Sequence, residues 1–339
     1  MRDNCLICNN REATKSNSHI IPSFLVAMVS SYDGSYRRGK ELMFTISSFQ
    51  EKVYTGELPD TKLEQIFDTD SLTEERIKNE LSNNTVAKDN IFCPTCETGL
   101  SQYLETPYAA NLLRNEKISN DIPIFFWISV IWRMSACGDY GFKLPKDIED
   151  KLHYNLKQYF KLKEDKKDVA VFLGEIDFRY KILHCKNFCK DNAGYIYCVY
   201  DEHDRVLTIS LGDLCICGMF DNDTLLENFT FFGLEPYLKE APINQGRKNE
   251  ERFSVSPSVY KESIRKFINL GAELRRKDEF LILDKMWTLS GRIGFMPIRM
   301  KMVFLQILYD ESVKLGERHT SQRYIEIFEY LIRNVILWY

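Results

Sequence analysis

Two C-x-x-C pairs, far apart in the chain, constrain the fold of this sequence more than any other feature. Cys5 and Cys8 lie near the N-terminus, and Cys93 and Cys96 form the second pair, 85 positions from Cys8 to Cys93. Four thiolates from two such pairs can surround one tetrahedral Zn²⁺, with no open position for a reaction. The spacing therefore predicts a structural zinc that joins the two segments, with the intervening chain looped out. Free thiols on two unrelated turns, or a redox pair, are the alternatives.

The composition is that of a globular protein in a reducing compartment. The 339 residues are 44% hydrophobic and 28% charged, which is enough for two or three domains with a sizeable core. The N-terminus lacks the apolar region of a secretory signal, so a cytoplasmic location with thiols rather than disulfides is expected. The apolar run from Ile122 to Trp132 is too short to span a bilayer, so we predict a buried helix and no membrane partner.

The pattern along the chain predicts an α+β protein with four parts. The first carries both cysteine pairs and an acidic insertion, the second is a helical layer, the third is a small antiparallel β-rich part, and the fourth is helical. These parts span residues 1–115, with the insertion at about residues 50–89, and then residues 116–168, 169–235 and 236–339.

Periodicity supports these assignments. V-A-V-F-L, Y-I-Y-C-V-Y, V-L-T-I-S-L and L-C-I-C-G-M-F are typical of strands, with D-E-H-D-R as a hairpin turn. The stretch that begins S-V-S-P predicts a helix with a capping serine and an end at Gly271. Two further helices are predicted from apolar residues on one face: Ile148, Leu152, Leu156 and Phe160 in the first, and Tyr324, Phe328, Leu331 and Val335 in the second.

A single histidine, His19, lies between the cysteine pairs in the stretch S-H-I-I-P. By itself, a histidine in an apolar segment is more often a structural residue than a base. The order C-x-x-C, S-H-I-I-P and N-x-x-C-x-x-C, however, resembles the HNH endonucleases of the ββα-metal (His-Me finger) class. The resemblance to bacterial HNH-like proteins extends over roughly residues 1–160, through C-P-T-C-E and the later S-x-x-W-R.

The resemblance implies a role for each matching residue. His19 would be the general base, Asn90 would orient its loop, and Glu97 would hold a divalent metal, with Glu105 as a second oxygen ligand or an outer-shell partner. The chain departs from the pattern at Ser18, where an acidic metal ligand is usual, and at Glu97, where histidine or asparagine is usual. Glutamate is a good ligand for Mg²⁺ or Mn²⁺, so the carboxylate is interpreted as having moved across the site.

The function implied is a metal-dependent endonuclease, with DNA as the expected partner and bacterial antiviral defence as a setting given by the resemblance alone. Phosphodiester hydrolysis needs a base for water and a cation for the developing charge, and His19 with a divalent ion would provide both. The alternatives are a catalytically degenerate HNH-fold zinc protein that binds nucleic acid or serves as a scaffold, and a sensor whose C-terminal half gates the nuclease. A homodimer or a protein partner stays open.

Three other groups of residues could contact a ligand or contribute to the core. Trp132 and Arg133 could contact nucleic acid, but a core tryptophan and an internally paired arginine are favoured. The basic stretch at residues 247–301, with R-R-K at its centre, could follow a phosphate backbone or form a solvated face. A second metal site, or simply buried core thiols, could be formed by a further set: His184, Cys185, Cys189, Cys215 and Cys217.

Overall fold

The structure is a computed structural model of mixed α+β class. It describes residues 4–16, 18–30, 41–45, 52–56, 87–137, 143–192, 194–220, 231–246, 248–315 and 321–334. Most of the predicted acidic insertion and Val335 of the predicted C-terminal helix face lie outside these residues.

A short antiparallel ribbon opens the fold. Strand β1 (Ser18–His19) pairs with β4 (Ala87–Lys88), in the register Ser18 with Lys88 and His19 with Ala87. Three residues separate helix α1 (Ser23–Ser30) from β1, and the Pro22 carbonyl accepts the first hydrogen bonds of the helix. Strands β2 (Glu41–Thr45) and β3 (Lys52–Gly56) form a hairpin between α1 and β4.

Three helices pack behind this ribbon. The first, α2, is continuous: Pro94–Gly99 is α-helical, Leu100–Glu105 is π-helical and Thr106–Arg114 is α-helical again. Helix α3 (Asp121–Cys137) is buried on nearly every side, as its apolar run predicts. Helix α4 (Lys146–Glu164) buries the predicted face, and its contacts with α3 form the core of the layer. No helix within the described residues is both long and apolar enough to cross a membrane.

One seven-stranded sheet contains strands from both halves of the chain. Its order is β2-β3-β6-β7-β8-β5-β9. The strands not yet defined are β5 (Arg179–His184), β6 (Tyr195–Asp201), β7 (Val206–Leu211), β8 (Leu214–Met219) and β9 (Phe253–Ser254).

The sheet confirms three of the predicted strands and corrects two expectations. The predicted segments of β6, β7 and β8 are strands, and D-E-H-D-R is the turn of the β6–β7 hairpin. V-A-V-F-L is not a strand: the chain there makes a 3₁₀ turn at Phe172–Glu175, whose apolar side chains Phe172 and Leu173 pack onto the core as a loop. The sheet is mixed rather than purely antiparallel, because β9 pairs with β5 in parallel.

A short helix, α5 (Phe188–Asp191), lies between β5 and β6. The C-terminal part is helical and consists of α6 (Glu235–Glu240), followed after β9 by the long helices α7 (Pro257–Leu289), α8 (Ile298–Leu315) and α9 (Ser321–Arg333). The predicted helix end at Gly271 is wrong, since α7 continues for eighteen further residues. A helical glycine costs only about 1 kcal/mol, and packing of Phe267 and Leu283 on either side offsets it.

The main hydrophobic core extends from Cys5 to Phe220 and crosses the predicted boundaries near residues 115 and 169. A second cluster lies between the other face of the sheet and the start of α7. A third joins the end of α7 to α8 and α9, and it includes Phe328 and Leu331 of the predicted C-terminal face.

A buried carboxylate ties these layers together. The side chain of Glu250 is 2% exposed. It accepts hydrogen bonds from the Tyr108 hydroxyl (2.9 Å), Trp127 Nε1 (3.1 Å), the Tyr180 hydroxyl (3.0 Å) and Arg252 Nε (2.8 Å). The donors come from α2, α3, β5 and the segment before β9, so one charge connects four elements. A buried charge with this many donors stabilises the fold only while the set is complete.

Replacing Glu250 with alanine is therefore expected to lower the free energy of unfolding by about 3–5 kcal/mol, because four buried donors lose their acceptor. Urea denaturation measures this. Glu116→Ala is the matched control, since its ion pair with Arg114 is exposed on both sides and should change stability by less than about 1 kcal/mol. Equal losses in the two variants would show that the Glu250 cluster does not hold the layers together.

Candidate functional site

The four cysteines of the two C-x-x-C pairs meet at one point. The sulfur atoms of Cys5, Cys8, Cys93 and Cys96 all lie within 4.8 Å of one another, and Cys8 Sγ is 3.9 Å from Cys93 Sγ. A tetrahedron with metal–sulfur bonds of about 2.3 Å has sulfur–sulfur edges of about 3.8 Å. The cluster thus fits a metal ion such as zinc, and the chemistry of four thiolates agrees with that choice.

Local backbone geometry presents the sulfurs. In the first pair, the Asn9 amide donates to the Cys5 carbonyl, and Asn9 has the left-handed φ of 59° that closes a tight turn. In the second pair, Cys93 is the N-cap of α2, and its sulfur accepts from the Cys96 amide at 3.5 Å. The two turns are joined by a hydrogen bond from the Leu6 amide to the Ile91 carbonyl. Each C-x-x-C pair is therefore shaped by its own local turn, and the backbone hydrogen bond brings the two turns together.

The thiols strongly influence one another. The pKa of Cys5 is lowered to about 4, chiefly because Cys96 donates a hydrogen bond to its thiolate, and the pKa of Cys96 is raised in consequence. Burial raises the pKa of Cys8. A bound cation would favour the thiolate form of all four cysteines.

His19 lies at the end of β1. Its side chain is half-buried, whereas Ser18 before it is fully buried. The His19 carbonyl accepts a hydrogen bond of 2.9 Å from Nη1 of Arg133, on α3. The strand end that carries the imidazole is therefore fixed by β4 on one side and by a buried guanidinium on the other.

Glu97 lies one residue after the last cysteine of the cluster and is directed toward Ser18. Burial raises the pKa of Glu97, while the Ser18 hydroxyl and the positive charge of Arg133 act in the opposite direction. The hydroxyl is close enough to influence the carboxyl, yet Ser18 Oγ and Glu97 Oε2 make no hydrogen bond of ordinary geometry among the described residues. Nη2 of Arg133 is also buried without a partner there. The region beside His19 thus holds three buried polar atoms that a ligand, ion or water would satisfy.

Glu105 reaches the same region because α2 is locally under-wound. Eight residues of a regular α-helix advance by about 800°, so Glu105 would point about 80° away from Glu97. The π-helical segment between them, closed by the hydrogen bond from the Thr106 amide to the Ser101 carbonyl, reduces this rotation. Glu105 forms an ion pair of 2.8 Å with Arg133 and contributes to the pKa of Glu97. Because the Arg133 guanidinium already neutralises its charge, Glu105 fits the predicted outer-shell partner better than a direct metal ligand.

Asn90 is exposed, and it shapes the loop through its backbone. Its φ of 57° is left-handed, a conformation that asparagine tolerates well. Its amide donates to the Lys15 carbonyl at 2.8 Å, which holds the loop before α2 against the segment before β1. The structure assigns no side-chain contact to Asn90 beside His19.

The structure also places the other residues that were weighed. Trp132 is 4% exposed and stacks on His153, and Arg133 is paired internally, as favoured from the sequence. Cys215 and Cys217 share one face of β8 in the second core cluster, with Cys185 and Cys189 beside them. Within the described part of the chain, the four-cysteine cluster is the one group arranged to hold a metal; neither the second cysteine set nor His19, Glu97 and Glu105 form another. Arg276 and Lys277 are exposed on α7.

Sequence reasoning missed the importance of Ser18 and Arg133 for the histidine. Ser18 stood out only as a departure from an expected acid. The signal for Arg133 was present: an arginine inside an otherwise apolar helix is rarely buried unless it is paired.

No protein-family model, curated protein or solved structure matches the chain. The function must therefore be argued from the geometry of this site.

Zinc content close to one atom per chain is expected from purified protein. Cys93→Ser should lose most of the zinc and much of the thermal stability, because a metal that joins distant segments contributes directly to folding. Cys137→Ser is the matched control, because Cys137 is a half-buried thiol outside the cluster. Elemental analysis with thermal denaturation measures both effects. Zinc retained in Cys93→Ser, or lost equally in Cys137→Ser, would contradict the assignment.

Proposed function

We propose that this protein is a metal-dependent, HNH-like endonuclease that hydrolyses phosphodiester bonds of nucleic acid, with DNA as the expected substrate. The observation that carries the proposal is the arrangement beside the cysteine cluster. An antiparallel β1–β4 ribbon that ends in His19 is followed by α2, and the hydroxyl of Ser18, next to His19 in the chain, acts on the buried Glu97 carboxyl of that helix. This order of strand, strand and helix is the one implied by the resemblance.

Each residue has a distinct task in the proposed reaction. His19, on a strand end held from two sides, accepts the proton of the attacking water. Glu97 offers one buried carboxylate oxygen, and the Ser18 hydroxyl lies beside it as a weaker oxygen donor. A bound Mg²⁺ or Mn²⁺ would stabilise negative charge on the phosphate and on the leaving oxygen. The four-cysteine cluster plays no part in the chemistry, since zinc there would have a closed shell.

The second candidate is a catalytically degenerate zinc protein that binds nucleic acid or serves as a scaffold. Two observations favour it. Ser18 replaces the usual acidic ligand, and the charge of Glu105 is already matched by Arg133. Only Glu97 then offers a carboxylate for a divalent ion, and Mg²⁺ sites commonly use one or two carboxylates. A site with Glu97 as its single carboxylate ligand is within this range, so the endonuclease remains the first candidate.

Cleavage of plasmid DNA or RNA that depends on Mg²⁺ or Mn²⁺ and stops with EDTA is the expected result. His19→Ala should reduce the rate by about 100-fold or more, because a positioned base contributes 10²–10⁴-fold. Glu97→Gln should reduce it and raise the metal concentration needed. His203→Ala is the matched control, since that imidazole is 96% exposed in the β6–β7 turn.

Gel assays over a metal titration separate the two candidates. Binding of nucleic acid without cleavage under any metal would favour the scaffold. Equal cleavage by wild type and His19→Ala would show a contaminating nuclease and overturn the assignment of His19.

A further inference from the structure

We propose that Arg133 is the positioning residue of the His19 site: it links the strand that carries the base to the helix that carries the carboxylates. For its kinetic part the inference rests on the proposed function, but its structural part does not. Arg133 lies in S-x-x-W-R on α3 and touches no zinc ligand in the contacts described above.

Two of the three guanidinium nitrogens of Arg133, Nε and Nη1, donate hydrogen bonds. Arg133 is 1% exposed. Its Nε donates to the Ser129 carbonyl one turn earlier at 3.2 Å, which fixes the side chain along its own helix. Its Nη1 donates both to the His19 carbonyl at 2.9 Å and to Glu105 Oε1 at 2.8 Å. Three elements therefore depend on one planar group: α3, the end of β1, and the π-helical turn of α2.

The strand end needs this support. Ribbon β1–β4 consists of two residue pairs, which is too few to hold a position by itself. The carbonyl that Arg133 holds belongs to the histidine itself, so a shift of the guanidinium moves the imidazole directly. A displacement of about 1 Å at a catalytic group can lower a rate by about 100-fold.

The remaining donor, Nη2, is buried and has no partner among the described residues. The positive charge of Arg133 lowers the pKa of Glu97, and its Nη1 forms the ion pair with Glu105, so Arg133 also balances the charge of the two glutamates. Lysine cannot reproduce this arrangement, because its ammonium is a point charge without the planar fork.

Arg133→Lys tests the inference because it keeps the charge and removes the geometry. The chain has five histidines. In protein labelled at histidine, the ring signals of His19 are assigned by their loss in His19→Ala. We expect these signals to move in Arg133→Lys, with zinc content and circular dichroism kept. Glu105→Gln, at a half-buried position, should move them less and keeps the test decisive should Arg133→Lys fail to fold. Unchanged His19 signals in the folded variants would overturn the inference.

Arg252→Lys is the matched control. Arg252 is another largely buried arginine paired with a glutamate, but its contacts are with Glu250, Asn111 and the Tyr108 ring. It should leave the His19 signals in place. An equal shift in this variant would show a general loss of packing rather than positioning by Arg133, and would also overturn the inference.

The kinetic part uses a double-mutant cycle. Arg133→Lys should lower kcat by about 10- to 100-fold, with KM changed by less than about threefold. In the His19→Ala background the same substitution should cost far less, because a residue that acts through the histidine has nothing left to position. Equal costs in both backgrounds would contradict positioning. If wild type cleaves nothing, the proposed function fails, while the spectra still decide whether Arg133 fixes His19.

Discussion

The meeting of four sulfur atoms is the interaction on which the N-terminal half of the structure depends. It joins residues 5–8 to residues 93–96, and closing a loop of that length costs about 4–5 kcal/mol in chain entropy. Zinc binding in small domains contributes about 10–16 kcal/mol, which exceeds that cost several-fold. The two residue pairs of β1–β4 could not close the loop themselves. The cysteine cluster, together with the backbone hydrogen bonds of Lys15 to Asn90 and Phe92, therefore holds β4 and the start of α2 beside the segment that leads into β1.

Buried charges set the position of everything that packs on this half. Glu250 joins α2, α3 and β5 through four donors, and Arg133 joins α3, β1 and α2 through three acceptors. Both sets of hydrogen bonds include a side chain of helix α3, Trp127 in the first and Arg133 in the second, and both side chains are buried. Low local polarity strengthens such contacts and makes a missing partner costly. The helical layer is thus held by two buried charges, and of these Arg133 is the one that contacts the strand of His19.

Local patterns predicted part of this structure, and long-range pairing decided the rest. The cysteine cluster follows from spacing alone, and α4 follows from four apolar residues on one face. V-A-V-F-L has strand composition, but the chain there turns into a 3₁₀ helix, and Phe172 and Leu173 pack on the core from that turn. Helix α7 passes Gly271 because packing outweighs a small local preference. The joining of β3 to β6 links segments that no local pattern connects. At the candidate site, the motif comparison predicted roles for His19 and Glu97, which stay predictions, whereas the contacts of Arg133 with His19 and Glu105 could be seen only in the fold.

The polar atoms around Ser18 bear most directly on whether this region has a function. Ser18 Oγ, Glu97 Oε2 and Arg133 Nη2 are buried and make no hydrogen bond of ordinary geometry among the described residues, although the Ser18 hydroxyl and the charge of Arg133 both act on the Glu97 carboxyl. The same holds for Ser129 Oγ on α3, so such atoms do not by themselves mark a ligand site. A divalent ion held by Glu97 would separate the proposed enzyme from the scaffold, because ordered water could satisfy the same atoms and would support no reaction.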